Sequence, residues 1–78
     1  MNLQDACDES FEQAQSDETE NEHFSVTNDA GKEIGYIEIL ETDVVYVEPT
    51  DSPDDGDLFD LGVVSREDYN KLVREVLL

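Results

Sequence analysis

Acidic residues outnumber basic residues by 22 to 4 in this chain of 78 residues, and the formal charge of −18 limits what it can fold into. A domain of this size buries only roughly 60% of its unfolded surface, and repulsion among carboxylates destabilises the compact state further. Hydrophobic residues make up 37% of the chain, so folding depends on how well they are patterned. The single cysteine, Cys7, cannot form an internal disulfide to reinforce the core.

The same charge excludes several classes of function. A polyanion repels the phosphate backbone, so we expect no direct binding to nucleic acid. The chain has neither an apolar run long enough to span a bilayer nor a basic amphipathic face, so we expect no membrane association. Its N-terminal residues do not resemble a signal peptide. Together with the lone thiol, these features predict a cytoplasmic protein.

The acidic residues are concentrated in two blocks. Residues 1–22 hold eight acidic residues and no basic one, and residues 41–60 again hold eight and none. Residues 61–78 are balanced, with three acidic and three basic residues. The charge therefore flanks a nearly neutral framework, a pattern that differs from a uniform solubility coat.

Two segments have helical periodicity. Residues 3–15 place small and apolar side chains on one side of a helix: Leu3, Ala6, Cys7, Phe11 and Ala14. Near the C-terminus, Ser65 is the predicted N-cap and Asp68 the acid of a variant capping box. The apolar stripe of that second helix follows: Tyr69, Leu72, Val73, Val76 and Leu77.

Between the helices the apolar period changes to two, which is typical of strands. Strands are predicted from residue 23 to Thr27, from Glu33 to Leu40 and from Val44 to Glu48, and Pro49 ends the last one. Gly35 inside the second strand indicates a bulge or close packing. The predicted fold is α+β, with a three-stranded antiparallel meander between an N-terminal and a C-terminal helix.

The predicted organisation is a single domain over residues 1–78. Residues 1–22 form an acidic helix and a linker able to move, residues 23–48 the sheet, residues 49–62 an acidic loop and residues 65–78 a helix. One face of the sheet is predicted to pack against the C-terminal helix. Its residues are Phe24, Val26, Ile37, Ile39, Val45 and Val47. The opposite face, which the N-terminal helix or a partner covers, presents Tyr36, Glu38, Leu40, Val44, Tyr46 and Glu48.

No motif predicts catalysis, a metal or a cofactor, although weak binding of a divalent cation by the carboxylates of residues 51–60 is an alternative. In the segment DSPDDGDLFDLG, Pro53 and Gly62 occupy positions where a calcium loop needs ligands. His23 and Ser25 share an exposed strand face without a pocket, and Cys7 lies on the apolar helix stripe among acids that oppose a thiolate. We therefore expect no enzyme activity and no catalytic residue.

The charge arrangement itself points to a partner. Carboxylates at alternate positions of a strand stand about 6.6 Å apart, comparable to neighbouring phosphates of a nucleic-acid strand. Such rows would pair with the lysines and arginines that hold phosphates, with Tyr36 or Tyr46 as an aromatic anchor and Glu18, Glu20 and Glu22 in support. The predicted partner-binding acids are Glu38, Glu41, Asp43, Glu48, Asp51, Asp54, Asp55, Asp57 and Asp60.

In its small size, its mixed α/β core and its acidic segments DETENE and EPTDSPDDGDLFD, the chain resembles the DNA-mimic inhibitors of phages and mobile elements. These are anti-CRISPR, anti-restriction and glycosylase-inhibitor proteins. The resemblance implies a stoichiometric blocker of an enzyme or defence complex that binds DNA or RNA. The expected partner is thus a basic protein surface, with the chain itself a monomer or a homodimer paired through Tyr36 and Tyr46.

Two alternatives use the same charge. The chain is also compatible with a small adaptor, antitoxin or immunity protein that covers a basic surface unrelated to nucleic acid. An acid-coated domain from a high-salt organism is the other alternative. Nucleic acid would displace a mimic from its partner but would not displace an adaptor, antitoxin or immunity protein. A domain from a high-salt organism would need molar salt to fold.

Overall fold

The structure, a computed structural model, describes residues 1–16 and 22–78. Most of the predicted linker over residues 16–22 lies outside these ranges, as do Glu18 and Glu20. The elements in chain order are α1 (Leu3–Ala14), β1 (Glu22–Thr27), β2 (Glu33–Glu41), β3 (Val44–Pro49), a 3-10 turn (Pro53–Asp55), β4 (Asp57–Asp60) and α2 (Arg66–Leu77). The fold is α+β, as predicted. One helix precedes the antiparallel sheet in the sequence and the other follows it.

The sheet has four strands in the order β1-β2-β3-β4, so the prediction of three strands was wrong. The additional strand β4 lies within the segment predicted as an acidic loop and pairs antiparallel with β3. Asp57–Asp60 joins the sheet because Phe59, opposite Val45, packs against the core. The surrounding Asp, Pro and Gly residues are typical of a loop, which is why the strand was not predicted.

Both helices pack on the same face of the sheet, and the hydrophobic core lies between the two layers. The sheet residues predicted to face the C-terminal helix are all in this core, and Ala6, Cys7, Phe11 and Ala14 of α1 join them. From α2, Tyr69, Val73 and Leu77 are buried. Of the two predicted ways to cover the other face, α1 is therefore excluded. Neither helix covers that face, and Gly56, after the 3-10 turn, lies against it at the hydroxyl end of Tyr46.

Local hydrogen bonds fix the ends of both helices. The Asn2 side chain accepts from the Asp5 backbone N–H at 2.8 Å and caps α1. The hydroxyl of Ser65, the predicted N-cap of α2, accepts from the Asp68 backbone N–H at 3.1 Å. Between the helices, the buried hydroxyls of Ser10 and Tyr69 are 2.8 Å apart. These contacts hold α1 and α2 side by side on the sheet.

Gly35 of β2 allows α2 to approach the sheet closely. A Cβ atom at this position would meet the Leu77 side chain and lie 2.6 Å from the Glu48 carbonyl oxygen. The register between β1 and β2 also shifts beside it, at Val26 and Thr27. Both roles predicted for this glycine, close packing and a neighbouring bulge, are therefore present.

The turn between β2 and β3 connects the sheet to the other elements. Asp43 adopts a φ of 62°, which a short polar side chain tolerates. Its backbone N–H donates to the Ala14 carbonyl, and its carbonyl accepts from Leu61, both at 2.7 Å. The end of α1 and the end of β4 thus meet at this turn.

Among the described residues, no helix is both long and apolar enough to cross a bilayer.

Candidate functional site

The uncovered face of the sheet alternates aromatic and acidic side chains. Tyr36 lies opposite Glu48 across β2 and β3, and Glu38 lies opposite Tyr46 in the next pair. Side chains that oppose each other directly have Cβ atoms about 4.5–5.5 Å apart. Each tyrosine therefore has a glutamate both across the ladder and two residues along its own strand. We call these four residues, all half-buried, the Tyr–Glu patch.

Further aromatic contacts extend the patch toward β1. The His23 ring stacks on Tyr36 with the ring centroids 4.7 Å apart. Tyr36 and Tyr46 are tilted against each other, with their centroids 6.2 Å apart. On the other side, Leu58 of β4 lies opposite Tyr46 and is 62% exposed. A row of three rings and one leucine thus crosses the sheet between the carboxylates.

Glu48 holds the hydroxyl end of Tyr46. The Tyr46 hydroxyl donates to Glu48 Oε1 at 2.8 Å. This hydrogen bond, together with burial and nearby carboxylates, raises the pKa of Tyr46 to about 12. Burial and the same glutamate also raise the pKa of Tyr36. Both tyrosines therefore stay protonated across the physiological range, and their rings are held in place.

Glu38 differs from Glu48 in having no partner. It stands between His23 and Tyr46 in the register of the sheet. Within residues 1–16 and 22–78, no hydrogen bond or ion pair to its carboxylate is formed. A half-buried carboxylate without a counter-charge is available to a cation from outside the chain.

A second acidic surface lies on the helical side of the molecule. The segment from Asp51 to Asp57 and the C-terminal half of α2 enclose a groove with two adjoining parts of about 400 and 340 Å³. Asp51, Asp55, Asp57 and Glu75 line it, and its apolar walls include Phe59, Leu72, Val76 and Leu77. We call this the β4–α2 groove.

The structure distributes ten of the eleven predicted partner-binding residues over three places. Tyr36, Glu38, Tyr46 and Glu48 come together in the Tyr–Glu patch, and Asp51, Asp55 and Asp57 line the β4–α2 groove. At the opposite end of the sheet, Glu41 is the last residue of β2, Asp43 lies in the turn, and the Asp60 carboxylate accepts from the Gly62 backbone N–H at 2.9 Å. Asp54 is exposed on the 3-10 turn. Of the supporting acids, Glu22 begins β1.

Two contributors were missed from the sequence. Glu75 lies on the charge-balanced C-terminal helix, where nothing in its composition stood out, yet it completes the groove. The position of Glu75 beside Val76 of the apolar stripe was the sequence signal that could have placed it near the sheet. His23 was considered only as a catalytic residue, although its place opposite Glu38 in the strand register brings it onto Tyr36.

All four basic residues lie away from the open sheet face. Lys32 is in the turn between β1 and β2, and none of the four strands contains a lysine or arginine. On α2, Arg66 pairs with Glu12 at 3.1 Å and Lys71 with Glu67 at 3.9 Å. Arg74 donates to the Gln4 side-chain oxygen at 3.3 Å. The cations therefore lie in the β1–β2 turn and on α2, where they face the seven acidic residues of the two helices, and none lies on a strand.

The remaining reactive side chains form no catalytic arrangement that the structure describes. Cys7 is buried, and burial raises the pKa of its thiol to about 11, so the thiolate is disfavoured at neutral pH. His23 contacts Tyr36 on the open face. In the described part of the chain, no three or more His, Cys, Asp or Glu side chains are grouped so that they would hold a metal ion.

Comparisons of the chain with protein-family models, with curated proteins and with solved structures found no match. The geometry of the open face and of the β4–α2 groove is therefore the basis for the functional proposal.

Proposed function

We propose that this protein is an acidic mimic of nucleic acid that blocks the DNA- or RNA-binding surface of a host enzyme or defence complex, as anti-CRISPR and anti-restriction inhibitors do. The observation that carries the proposal is the uncovered sheet face, on which carboxylates alternate with tyrosine rings. The partner is a basic protein surface, and the chain itself does not bind nucleic acid.

The alternation supports mimicry because a nucleic-acid site recognises two kinds of group. Lysines and arginines hold phosphates, while aromatic and apolar side chains stack on bases. Glu38 and Glu48 lie diagonally across the β2–β3 ladder, a separation of roughly 7–8 Å. Tyr36 and Tyr46 place flat rings between them. The face thus presents anionic groups and stacking surfaces at fixed relative positions.

The distribution of charge supports fast binding to such a site. A net charge of −18 with every cation off the strands gives the open face a strongly negative potential. Complementary potentials steer association and raise its rate. The acids at the two ends of the sheet and in the β4–α2 groove extend this field beyond the Tyr–Glu patch.

The test begins with capture of partners on the immobilised protein from a nuclease-treated lysate of its host. The variant Glu38→Gln/Glu48→Gln neutralises the patch without changing side-chain volume, and Glu9→Gln/Glu67→Gln removes the same charge from exposed helix positions. We expect nucleic-acid-binding proteins on the wild type and on the helix variant, and a loss of at least about tenfold in affinity for the patch variant.

The captured partner is then challenged with duplex DNA and with RNA. Release of the partner by excess nucleic acid supports a mimic, because both ligands would then use one site. A partner that stays bound while it takes up nucleic acid would contradict mimicry and indicate an adaptor, antitoxin or immunity protein. Equal binding by the two double variants would remove the Tyr–Glu patch from the interface.

A further inference from the structure

We infer that the Tyr–Glu patch selects arginine over lysine side chains on its partner, an inference that rests on the proposed function and specifies the chemistry of its contact. The patch combines an unpartnered carboxylate, Glu38, with the exposed parts of two tyrosine rings. A planar cation that both stacks and donates two parallel hydrogen bonds satisfies these groups together. Guanidinium is the side-chain group with that shape.

Glu38 supplies the hydrogen-bond acceptor for this contact. Its carboxylate projects from the middle of β2, opposite His23 on one side and Tyr46 on the other. No described residue of the chain neutralises it. Two parallel N–H···O bonds from a guanidinium to one carboxylate are shorter and stronger than neutral hydrogen bonds. A lysine ammonium meets the same carboxylate as a point charge without this geometry.

The tyrosine rings supply the stacking surface. The Tyr46 hydroxyl is fixed by its 2.8 Å hydrogen bond to Glu48, so the ring beside Glu38 is held before a partner arrives. The ring of Tyr36 is supported on one side by His23 at 4.7 Å. The quadrupole of an aromatic ring attracts a cation over its face, and arginine is the more frequent partner in such contacts.

A second copy of the chain is the other molecule that could cover this sheet face, and its charge disfavours that contact. Two copies joined through this face would oppose Glu38 and Glu48 of each copy, and each copy carries a net charge of −18. Like charges brought together without counter-ions are destabilising. A cationic partner has complementary charge, which makes it the favoured occupant.

The test compares octa-arginine and octa-lysine peptides, which have equal charge, by titration calorimetry against the intact chain. We expect the wild type to bind octa-arginine about tenfold more tightly, the ratio that corresponds to 1.4 kcal/mol. Glu38→Gln keeps the fold and removes the bidentate acceptor, so the ratio should fall to about two to three. The control Glu9→Gln removes one charge from an exposed position of α1 and should keep the ratio near ten.

A second variant, Tyr36→Leu/Tyr46→Leu, removes both rings and should also reduce the ratio, with its folding checked by circular dichroism. Equal affinities for the two peptides in the wild type would overturn the arginine inference and leave the proposed function standing. A tenfold ratio that persists in both Glu38→Gln and the leucine variant would also overturn it. If neither peptide binds, the proposed function fails together with the inference.

Discussion

The hydroxyl of Tyr69 is buried between the two helices, and Ser10 is the residue that satisfies its hydrogen bond. Ser10 also donates to the Cys7 carbonyl at 3.1 Å, so it keeps one partner if the tyrosine hydroxyl is removed. Tyr69 has no second polar contact among the described residues. The sequence predicted Tyr69 as part of an apolar stripe, but the serine it needs lies on the other helix and was not identifiable from periodicity.

This asymmetry predicts different costs for the two single substitutions. Ser10→Ala leaves a buried hydroxyl without a partner and should lower the free energy of unfolding by about 1–3 kcal/mol. Tyr69→Phe removes the hydroxyl itself and should cost about 0.5–1.5 kcal/mol. Urea denaturation measures both, with Ser52→Ala, at an exposed position without a capping bond, as the control. A larger loss in Tyr69→Phe than in Ser10→Ala would contradict the hydrogen-bond assignment.

The contact between Tyr46 and Glu48 predicts a pH dependence. The Glu48 carboxylate helps raise the pKa of Tyr46 from 10.0 to about 12. A raised pKa means that the folded state holds the proton more tightly, so the resulting stability is complete below pH 10 and is lost as the pH rises toward 12. A titration of phenolate absorbance should show a tyrosine midpoint that moves toward 10 in Glu48→Gln. Unchanged midpoints in that variant would exclude the contact.

At the scale of elements, both helices and the first three strands followed from periodicity. Ser65 was identifiable as an N-cap because a serine before an apolar helical stripe is a local signal. The strand β4 was not identifiable from the sequence, since Phe59 is its single core-facing apolar residue and the neighbouring Asp residues are unfavourable in strands. The Tyr–Glu patch followed from alternation along β2 and β3. No local pattern shows that this patch is uncovered or that Asp51 and Glu75 line one groove, because both depend on tertiary packing.

The close approach of α2 to the sheet predicts the effect of enlarging Gly35. In Gly35→Ala the new methyl group would meet the Glu48 carbonyl oxygen and the Leu77 side chain. Overpacking of this kind costs about 1–3 kcal/mol, and thermal denaturation should show it. Gly62→Ala is the matched control, because its methyl group would lie 3.1 Å from the carboxylate of Asp60, on an exposed residue. An equal effect of the two substitutions would mean that α2 does not lie so close to β2.

The whole molecule balances one hydrophobic core against a charge of −18 within a radius of gyration of 11.3 Å. Salt screens carboxylate repulsion, since the Debye length falls from about 10 Å at 0.1 M to about 3 Å at 1 M. We therefore expect the melting temperature to rise with KCl concentration while the protein is already folded at about 0.1 M. A chain that unfolds without molar salt would instead support the halophilic alternative.

If the open sheet face occupies a site built for nucleic acid, the protein and nucleic acid compete for one partner, and a competitive binding titration measures this. The affinity of the captured partner for this protein is measured at increasing concentrations of that partner's own DNA or RNA ligand. We expect an apparent Kd that rises in proportion to free nucleic acid, with Glu38→Gln/Glu48→Gln binding weakly throughout. An apparent Kd that does not change as the nucleic acid saturates the partner would show that the open face does not occupy the nucleic-acid site.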